Sequence, residues 1–201
     1  MPPKENIPTI EDIFSDFDHP NPHINRLAAL NMREYWSKES IEILTRNLDS
    51  NNIELRRKSV KALGSFGKSI VKDIIEMYIS SEEKTLKVSC LKVLVIVSSS
   101  HSLDDFEAEI KTLIESAVND QSVEIILTII SFLRQNGEKT LPYLKCLCRD
   151  ENVLKAKAAV TAISEINEIS VGPFLQSIVN DSSLDEMVRE SAFQAQNLQV
   201  N

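Results

Sequence analysis

Glycine, proline and aromatic residues are scarce in this sequence, and their scarcity narrows the choice of fold. Among 201 residues there are only 4 glycines and 7 prolines, and Pro2, Pro3 and Pro8 lie within the first eight residues. Few turn-forming residues remain to separate the strands of a large sheet, which favours helices. Aromatic residues make up 5% of the chain and hydrophobic residues 42%, so we expect a core of aliphatic side chains packed between helices.

Excess positive charge and long apolar runs are absent as well. The formal net charge is -8, and a field of that sign repels phosphate groups, so no nucleic-acid partner is expected. The longest uncharged runs, such as residues 93–103, are shorter than the ~18 residues that a membrane helix needs. The first residues also lack the apolar region of a signal peptide. These features predict a cytoplasmic protein without a membrane span.

Motifs for metal binding and hydrolysis are missing. The sequence contains no HExxH, no His-Glu dipeptide, no Gly-rich phosphate loop and no Gly-x-Ser-x-Gly, so we expect no metal site and no hydrolase chemistry. Cys90, Cys146 and Cys148 are odd in number and fall in segments with helical patterns. A disulfide framework is therefore not expected, and the cysteines are interpreted as small hydrophobic residues.

The stretch from Asn52 to Gly67 is the clearest example of what the sequence does contain. Its apolar residues have mostly the spacings of one helix face; they are Ile53, Leu55, Val60, Leu63 and Phe66. Asn51 or Asn52 can cap the start of this helix, and Gly67 suits a left-handed C-terminal stop. A shorter amphipathic segment, residues 40–48, precedes it. The two segments predict a helical hairpin.

This hairpin recurs along the chain. Polar turn markers stand at Asp18, Asp49, Ser80, Asp120, Asp150 and Asp181, at spacings of 31, 31, 40, 30 and 31 residues. Two helices per period of about 31 residues are typical of α-solenoids. We predict an all-α, right-handed solenoid in one domain, residues 1–201, with about six HEAT-like hairpins. Their predicted ranges are 10–36, 40–67, 69–97, 103–136, 140–166 and 171–198.

Three segments extend this pattern to a known family. HPNPHINRLAAL at residues 19–30, RRKSVKALGSFG at 56–67 and VRESAFQAQ at 188–196 resemble the HEAT-like repeats of the phycobilin lyases of the E/F family, in particular its smaller F- and Z-type subunits. The resemblance covers nearly the whole chain. It implies a subunit that helps to attach a bilin, an open-chain tetrapyrrole, to a cysteine of a phycobiliprotein.

The resemblance also implies partners and a division of chemical roles. The nucleophilic cysteine belongs to the phycobiliprotein apo-subunit, with phycoerythrin as the expected client. The bilin is a substrate, and no permanently bound cofactor is expected. Correct orientation would provide most of the effect. A larger E/Y-type lyase subunit is the expected heterodimer partner, and a role as lyase and a role as chaperone for the apoprotein both remain open.

Basic residues on the second helices are the candidate site. Arg33, Arg57 and Lys61 are predicted to contact bilin propionates or an acidic client surface. Arg56 and Arg189 are instead expected to form a structural ladder with Asp49 and Asp181 in the turns. Arg26 and Lys87 lie on the same row of helices.

Two further hypotheses come from single features. Tyr35 and Trp36 could stack on a pyrrole ring or cover an exposed end of the array, and Cys146 or Cys148 could bind a bilin transiently. The apolar surplus of residues 86–97 and 123–133 is either buried between neighbouring helices or forms a contact surface. A HEAT-like adaptor without chemistry is the alternative function.

Overall fold

The structure, a computed structural model, describes residues 7–199. Within this range the chain forms twelve α-helices and no strand. The helices are α1 Ile10–Phe17, α2 Pro22–Tyr35, α3 Ser37–Arg46, α4 Ile53–Gly64, α5 Val71–Ser80, α6 Lys84–Ser98, α7 Glu107–Val118, α8 Val123–Gln135, α9 Leu141–Leu147, α10 Val153–Ser164, α11 Val171–Val179 and α12 Glu186–Gln199. They follow one another as the six predicted pairs.

The chain divides into two compact units, Met1–Glu109 and Ile110–Asn201. We call them the N-terminal unit and the C-terminal unit. In the N-terminal unit α4 packs against α3 and α6, and α5 packs against α6. In the C-terminal unit α10 lies between α8 and α12 and also contacts α9. Within each unit, therefore, some second helices of successive hairpins pack side by side: α4 with α6, and α10 with α8 and α12.

Asparagine caps set where several of these second helices begin. The Asn52 side-chain oxygen accepts hydrogen bonds from the backbone N–H groups of Glu54 and Leu55, at 3.0 and 3.1 Å. Asn152 does the same for α10, and Asn21 accepts from the first turn of α2. Each cap satisfies backbone donors that the helix itself leaves unpaired. The predicted cap at Asn52 is thereby confirmed.

Counting from these caps shows a common register. The seventh, eighth, tenth and eleventh residues after Asn52 are Ser59, Val60, Ala62 and Leu63, and all four are buried. The corresponding residues of α6, after Glu83, and of α10, after Asn152, are buried as well. They are Cys90, Leu91, Val93 and Leu94 in α6, and Ala159, Val160, Ala162 and Ile163 in α10. The fifth and ninth residues after each cap lie on the opposite side of the helix.

Two glycines of the N-terminal unit allow close approach between its parts. A Cβ atom built on Gly64 would lie 2.4 Å from Cγ2 of Ile96, so α4 and α6 pack more closely there than any larger residue permits. Gly67 has a φ of +65°, which confirms the predicted left-handed stop. The imidazole of His101 packs against Gly67.

The seventh helix begins later than the sequence pattern indicates. It was expected from Leu103, but Asp104–Phe106 form a 3-10 turn and α7 starts at Glu107. Leu103 is buried, and Lys68 forms an ion pair with Asp105 at 2.7 Å. These two contacts hold the segment in a non-helical path. Among residues 7–199, no helix combines the length and the apolar character that crossing a membrane requires.

Candidate functional site

Exposed cations form one face of the N-terminal unit. Arg26 on α2 and Arg57 on α4 are each the fifth residue after their helix cap, and Lys61 is the ninth residue of its helix counted in the same way. All three side chains are exposed, as is Arg33 in the last turn of α2. We call Arg26, Arg33, Arg57 and Lys61 the basic face.

Two polar contacts place α2 beside α4. The Lys58 ammonium lies 2.9 Å from a carboxylate oxygen of Asp18, in the turn before α2. The Arg33 guanidinium donates a hydrogen bond of 2.9 Å to the backbone carbonyl of Ser65, at the end of α4. Asp18, just before α2, therefore lies within reach of the middle of α4, and the last turn of α2 lies near the end of α4, so the two helices run in the same direction. This arrangement brings the outward positions of both helices to one side.

Most of the basic face has no polar partner among residues 7–199. Arg26, Arg57 and Lys61 form no hydrogen bond or ion pair with any residue of the range 7–199. Arg33 uses one of its donors on the Ser65 carbonyl. Exposed apolar side chains, Leu27, Leu30 and Ile53, lie on the same two helices. Unpaired cations next to apolar surface suit a ligand or client that carries carboxylates.

Lys87 lies on α6 and contacts the ring of Tyr78, so it is not part of the basic face. Its ammonium is 5.4 Å from the centre of the buried Tyr78 ring, so it stacks on an aromatic side chain within its own hairpin. A cation–π contact of this kind satisfies much of the charge locally. Lys87 is therefore a packing residue, separate from the basic face.

Tyr35 and Trp36 join the first two hairpins. Both side chains are half-buried, and the Trp36 indole N–H donates a hydrogen bond of 3.0 Å to the carbonyl of Pro8. The neighbouring Glu34 carboxylate raises the pKa of Tyr35. The indole thus ties the segment before α1 to the junction of α2 and α3. A stacking role of either ring toward a pyrrole stays a prediction.

The expected Asp–Arg ladder takes a different form. Arg56 donates to the backbone carbonyl of Ser50, and Asp49 is exposed without a contact to Arg56. Asp181 accepts a hydrogen bond from Arg149, in the turn of the preceding hairpin, rather than from Arg189. The Arg189 Nε atom is buried with no hydrogen-bond partner among the residues that the structure describes. The pairing of Asp181 therefore links neighbouring hairpins, which corrects the prediction of a contact within one hairpin.

Hydrogen bonds lower the pKa of the Asp181 carboxyl group. Its pKa is lowered by the Ser183 hydroxyl, and further by Arg149 and by the Ser183 backbone N–H. Arg149 also contacts the Phe174 ring, as does Lys145. These contacts hold α9 against α11. Asp181 is accordingly a structural residue of the C-terminal unit.

The cysteines differ in exposure. Cys90 and Cys148 are buried, and burial raises the pKa of each thiol to about 12. At neutral pH both remain protonated thiols, which are poor nucleophiles. Cys146 is exposed. In the range 7–199, no three His, Cys, Asp or Glu side chains are grouped in a way that could hold a metal ion.

An open groove on the C-terminal unit was not predicted from the sequence. It has a volume of about 400 Å³ and is lined by Val153, Leu154, Lys157, Ala158 and Thr161 of α10 and by Met187 of α12. The sequence feature that could have indicated this groove is the residue type at the second position after each helix cap. That residue is Glu54 in α4 and Glu124 in α8, but Leu154 in α10 and Met187 in α12.

Comparisons with known proteins agree with the sequence resemblance. No known protein-family profile matches the chain. The chain is 27% identical over 188 residues to the uncharacterized phycocyanin operon protein Z of Pseudanabaena tenuis, covering 93% of each protein. It is 25% identical over 169 residues to the bilin biosynthesis protein CpeZ of a Synechococcus species, covering 81% of this chain and 91% of that protein.

A solved structure shows the same kind of fold. The designed armadillo repeat protein YIII(Dq.V1)4CPAF, in complex with the peptide (KR)4, has a TM-score of 0.50 and 14% identity. The match covers 96% of this chain and 100% of that protein. At this identity the similarity concerns the fold alone. The predicted fold class, a solenoid of helical repeats, and the predicted resemblance to the Z-type proteins are both confirmed over most of the chain.

Proposed function

We propose that this protein acts in the attachment of bilins to phycobiliproteins, as a lyase subunit or a lyase-chaperone subunit. The observation that carries the proposal is the similarity to two Z-type proteins along most of the chain, one of which bears the name of a bilin biosynthesis protein. The unpaired cations of the basic face support it, because they suit propionates or an acidic protein surface. The reaction would take place in the cytoplasm.

The proposed reaction consumes no chemical group of this protein, so the protein is unchanged after each addition. The client cysteine adds its sulfur to the exocyclic double bond of the bilin, so one carbon–sulfur bond forms, the π bond is lost and the thiol proton ends on the neighbouring carbon. Neither an oxidant nor a reductant is consumed. The low reactivity of Cys90 and Cys148 agrees with a nucleophile that belongs to the client. The task left to this protein is to orient bilin and client, which lowers the entropic part of the barrier.

The proposed partners are the apo-subunit of a phycobiliprotein, probed first with phycoerythrin, and a larger E/Y-type lyase subunit. The test is co-expression of the chain, alone and with that larger subunit, in cells that make the bilin and the apo-subunit. We expect a coloured adduct on the client that survives acid denaturation, or a gain in soluble client. If neither condition yields an adduct or more soluble client, the proposal is wrong and a non-catalytic adaptor explains the fold better.

A further inference from the structure

We infer that the groove between α10 and α12 binds the bilin itself, with its apolar floor against the pyrrole rings and Lys157 paired with a propionate. This inference rests on the proposed function and deepens it, because it assigns pigment binding to a surface of the C-terminal unit. It leaves the basic face of the N-terminal unit to an acidic client. Counted from their caps, α10 and α4 bury the same positions but differ on their outward sides.

In α4 the outward side is occupied by charged side chains. The second and sixth residues after the cap, Glu54 and Lys58, form an ion pair at 3.4 Å, and Lys58 also pairs with Asp18. The ninth residue is Lys61, and the fifth is Arg57. Ions of this kind keep their hydration in water, so an apolar molecule gains little by covering them.

In α10, three of the four corresponding positions carry uncharged side chains. Leu154 and Ala158 stand where α4 has its ion pair, and Thr161 stands where α4 has Lys61. The Thr161 hydroxyl donates to the backbone carbonyl of Lys157 at 3.1 Å, so its polar hydrogen is used within the helix. The small Ala158 leaves the space that forms the groove. Where α4 presents an ionic surface, α10 therefore presents an apolar recess.

The fourth position keeps its positive charge. Lys157 corresponds to Arg57, lines the groove and is half-buried. Its ammonium forms no hydrogen bond or ion pair with the part of the chain that the structure describes. The groove lining contains no carboxylate. A single unpaired ammonium at an apolar recess complements a flat, apolar ligand that carries a carboxylate, and a lysine stem can lie along such a ligand while its charged end pairs with it.

Exposed apolar side chains supply the driving force. Leu154 is 49% exposed and Met187 is 53% exposed, so each leaves much apolar surface in water that a ligand could cover. The volume of about 400 Å³ lies within the range of ~300–1,000 Å³ that small-molecule sites occupy. Since the groove is open along one side, a bound ring system stays accessible to a client cysteine.

The test is a titration of the purified full chain with biliverdin, an open-chain tetrapyrrole with two propionates, followed by induced circular dichroism in the visible range. Lys157→Gln removes the charge, Lys157→Arg retains it, and Ala158→Phe fills the groove. We expect Kd to rise about five- to tenfold for Lys157→Gln, which corresponds to the loss of one charge-assisted hydrogen bond. Ala158→Phe should weaken binding at least as much, and Lys157→Arg should largely restore it.

Two controls separate the specific site from general charge effects. Lys111→Gln changes the same charge at an exposed position of α7 outside the groove lining, and it should leave Kd unchanged. The dimethyl ester of biliverdin lacks the carboxylates, so its affinity should not respond to Lys157→Gln. Far-ultraviolet circular dichroism of each variant verifies that its helices are intact.

The inference is overturned if the wild-type chain does not bind biliverdin, or if Lys157→Gln and Ala158→Phe bind it as tightly as the wild type. It is equally overturned if these variants weaken association with the apo-subunit and leave pigment binding unchanged, because the groove would then be a protein contact. Failure of the proposed function has a different signature: no adduct and no gain in soluble client form in co-expression, whatever the result of the titration.

Discussion

Second helices of both units share a buried register, which holds in α4, α6, α8 and α10, and the two units differ on the side that faces water. In the N-terminal unit, the fifth and ninth residues after the caps of α2 and α4 are Arg26, Leu30, Arg57 and Lys61. In the C-terminal unit, the same positions of α8, α10 and α12 are Leu127, Ser131, Lys157, Thr161, Glu190 and Gln194. These positions are therefore mainly cations in the N-terminal unit, and mainly uncharged side chains with one lysine and one glutamate in the C-terminal unit.

This difference shows how a repeat fold separates stability from recognition. Caps and small buried residues fix where each helix begins and which side it buries, and these features recur from hairpin to hairpin. The outward positions contribute little to packing, so their chemistry can vary at small cost in stability. The N-terminal unit thus presents an electrostatic surface, and the C-terminal unit presents an apolar groove of about 400 Å³.

The largest expected effect tests the close packing of the N-terminal unit. Gly64→Ala would place a Cβ atom against the branched carbons of Ile96, which cannot move away without shifting α6. We expect the free energy of unfolding to fall by about 2 kcal/mol, as is typical of overpacking, in urea denaturation followed by circular dichroism.

The matched control lies in the other unit. A Cβ atom on Gly172 of α11 would meet nothing within 4 Å, so Gly172→Ala should leave stability unchanged or raise it by up to about 1 kcal/mol through helix propensity. Equal effects of the two substitutions would contradict the close approach of α4 and α6.

The second prediction separates the roles of the two surfaces. Replacing Arg57 and Lys61 together by alanine removes two unpaired cations of the basic face. In the co-expression assay we expect adduct yield to fall about fivefold, since the loss of two charge-assisted contacts costs on the order of 1 kcal/mol when they are solvent-exposed.

The same double variant should bind free biliverdin like the wild type, because its substitutions lie outside the groove. Helical content should also be unchanged. An adduct yield at the wild-type level would show that the basic face has no role in the proposed function. Weakened biliverdin binding would show that pigment binding is not confined to the groove of the C-terminal unit.

The third prediction concerns a feature that the two units should share. Lys58 and Lys155 both tie a second helix to the preceding hairpin, through Asp18 in its turn in one case and through the carbonyl of Val118, the last residue of α7, in the other. Their side chains are similarly buried, at 18% and 14% exposure. Lys58→Met and Lys155→Met should each lower the free energy of unfolding by about 1 kcal/mol.

Urea denaturation at low and high salt measures this effect. For Lys58, whose carboxylate partner Asp18 is mostly exposed, the difference between variant and wild type should shrink as salt rises. For Lys155 the difference should persist, because one of its acceptors is a backbone carbonyl. A cost confined to one unit would show that the inter-hairpin ties are not equivalent.

The smallest expected effect is a change of pKa in the C-terminal unit. The pKa of Asp181 is held below its ordinary value of 3.8, first by Ser183 and also by Arg149. Arg149→Gln should raise this pKa, as measured by NMR titration of the Asp181 side chain, without restoring it fully, because Ser183 remains.

The sign of the pH dependence follows from this lowered value. The stabilisation is complete above the ordinary pKa and is lost as pH falls through the lowered one. In Arg149→Gln the lowered pKa moves closer to the ordinary one, so the loss should be smaller in total and complete at a higher pH than in the wild type. An unchanged titration of Asp181 would mean that the pair is not formed in solution.

Several local features could be predicted from the sequence because they depend on neighbouring residues. The cap at Asn52 and the left-handed Gly67 each follow from local backbone chemistry, and the structure has both. The six helix pairs follow from the repeat of these signals at about 31 residues.

Contacts between hairpins could not be predicted in the same way. Asp181 pairs with Arg149, 32 residues away, because neighbouring turns lie side by side once the hairpins stack. Arg56 contacts a backbone carbonyl, an acceptor that every residue carries and that no sequence pattern marks. The groove depends on the distance between α10 and α12, which residue spacing within one helix does not contain.

The sequence by itself determined the helical hairpins, their caps, their buried faces and the resemblance to Z-type proteins, since these depend on residue order within one repeat. Tertiary structure decided which charged groups are satisfied and which stay free. Lys58 and Lys155 form ion pairs, whereas Arg57 and Lys157 form none with the residues that the structure describes, although all four are cations on second helices. The physical reason is that a charge finds its partner across the space between hairpins, and only folding sets that distance.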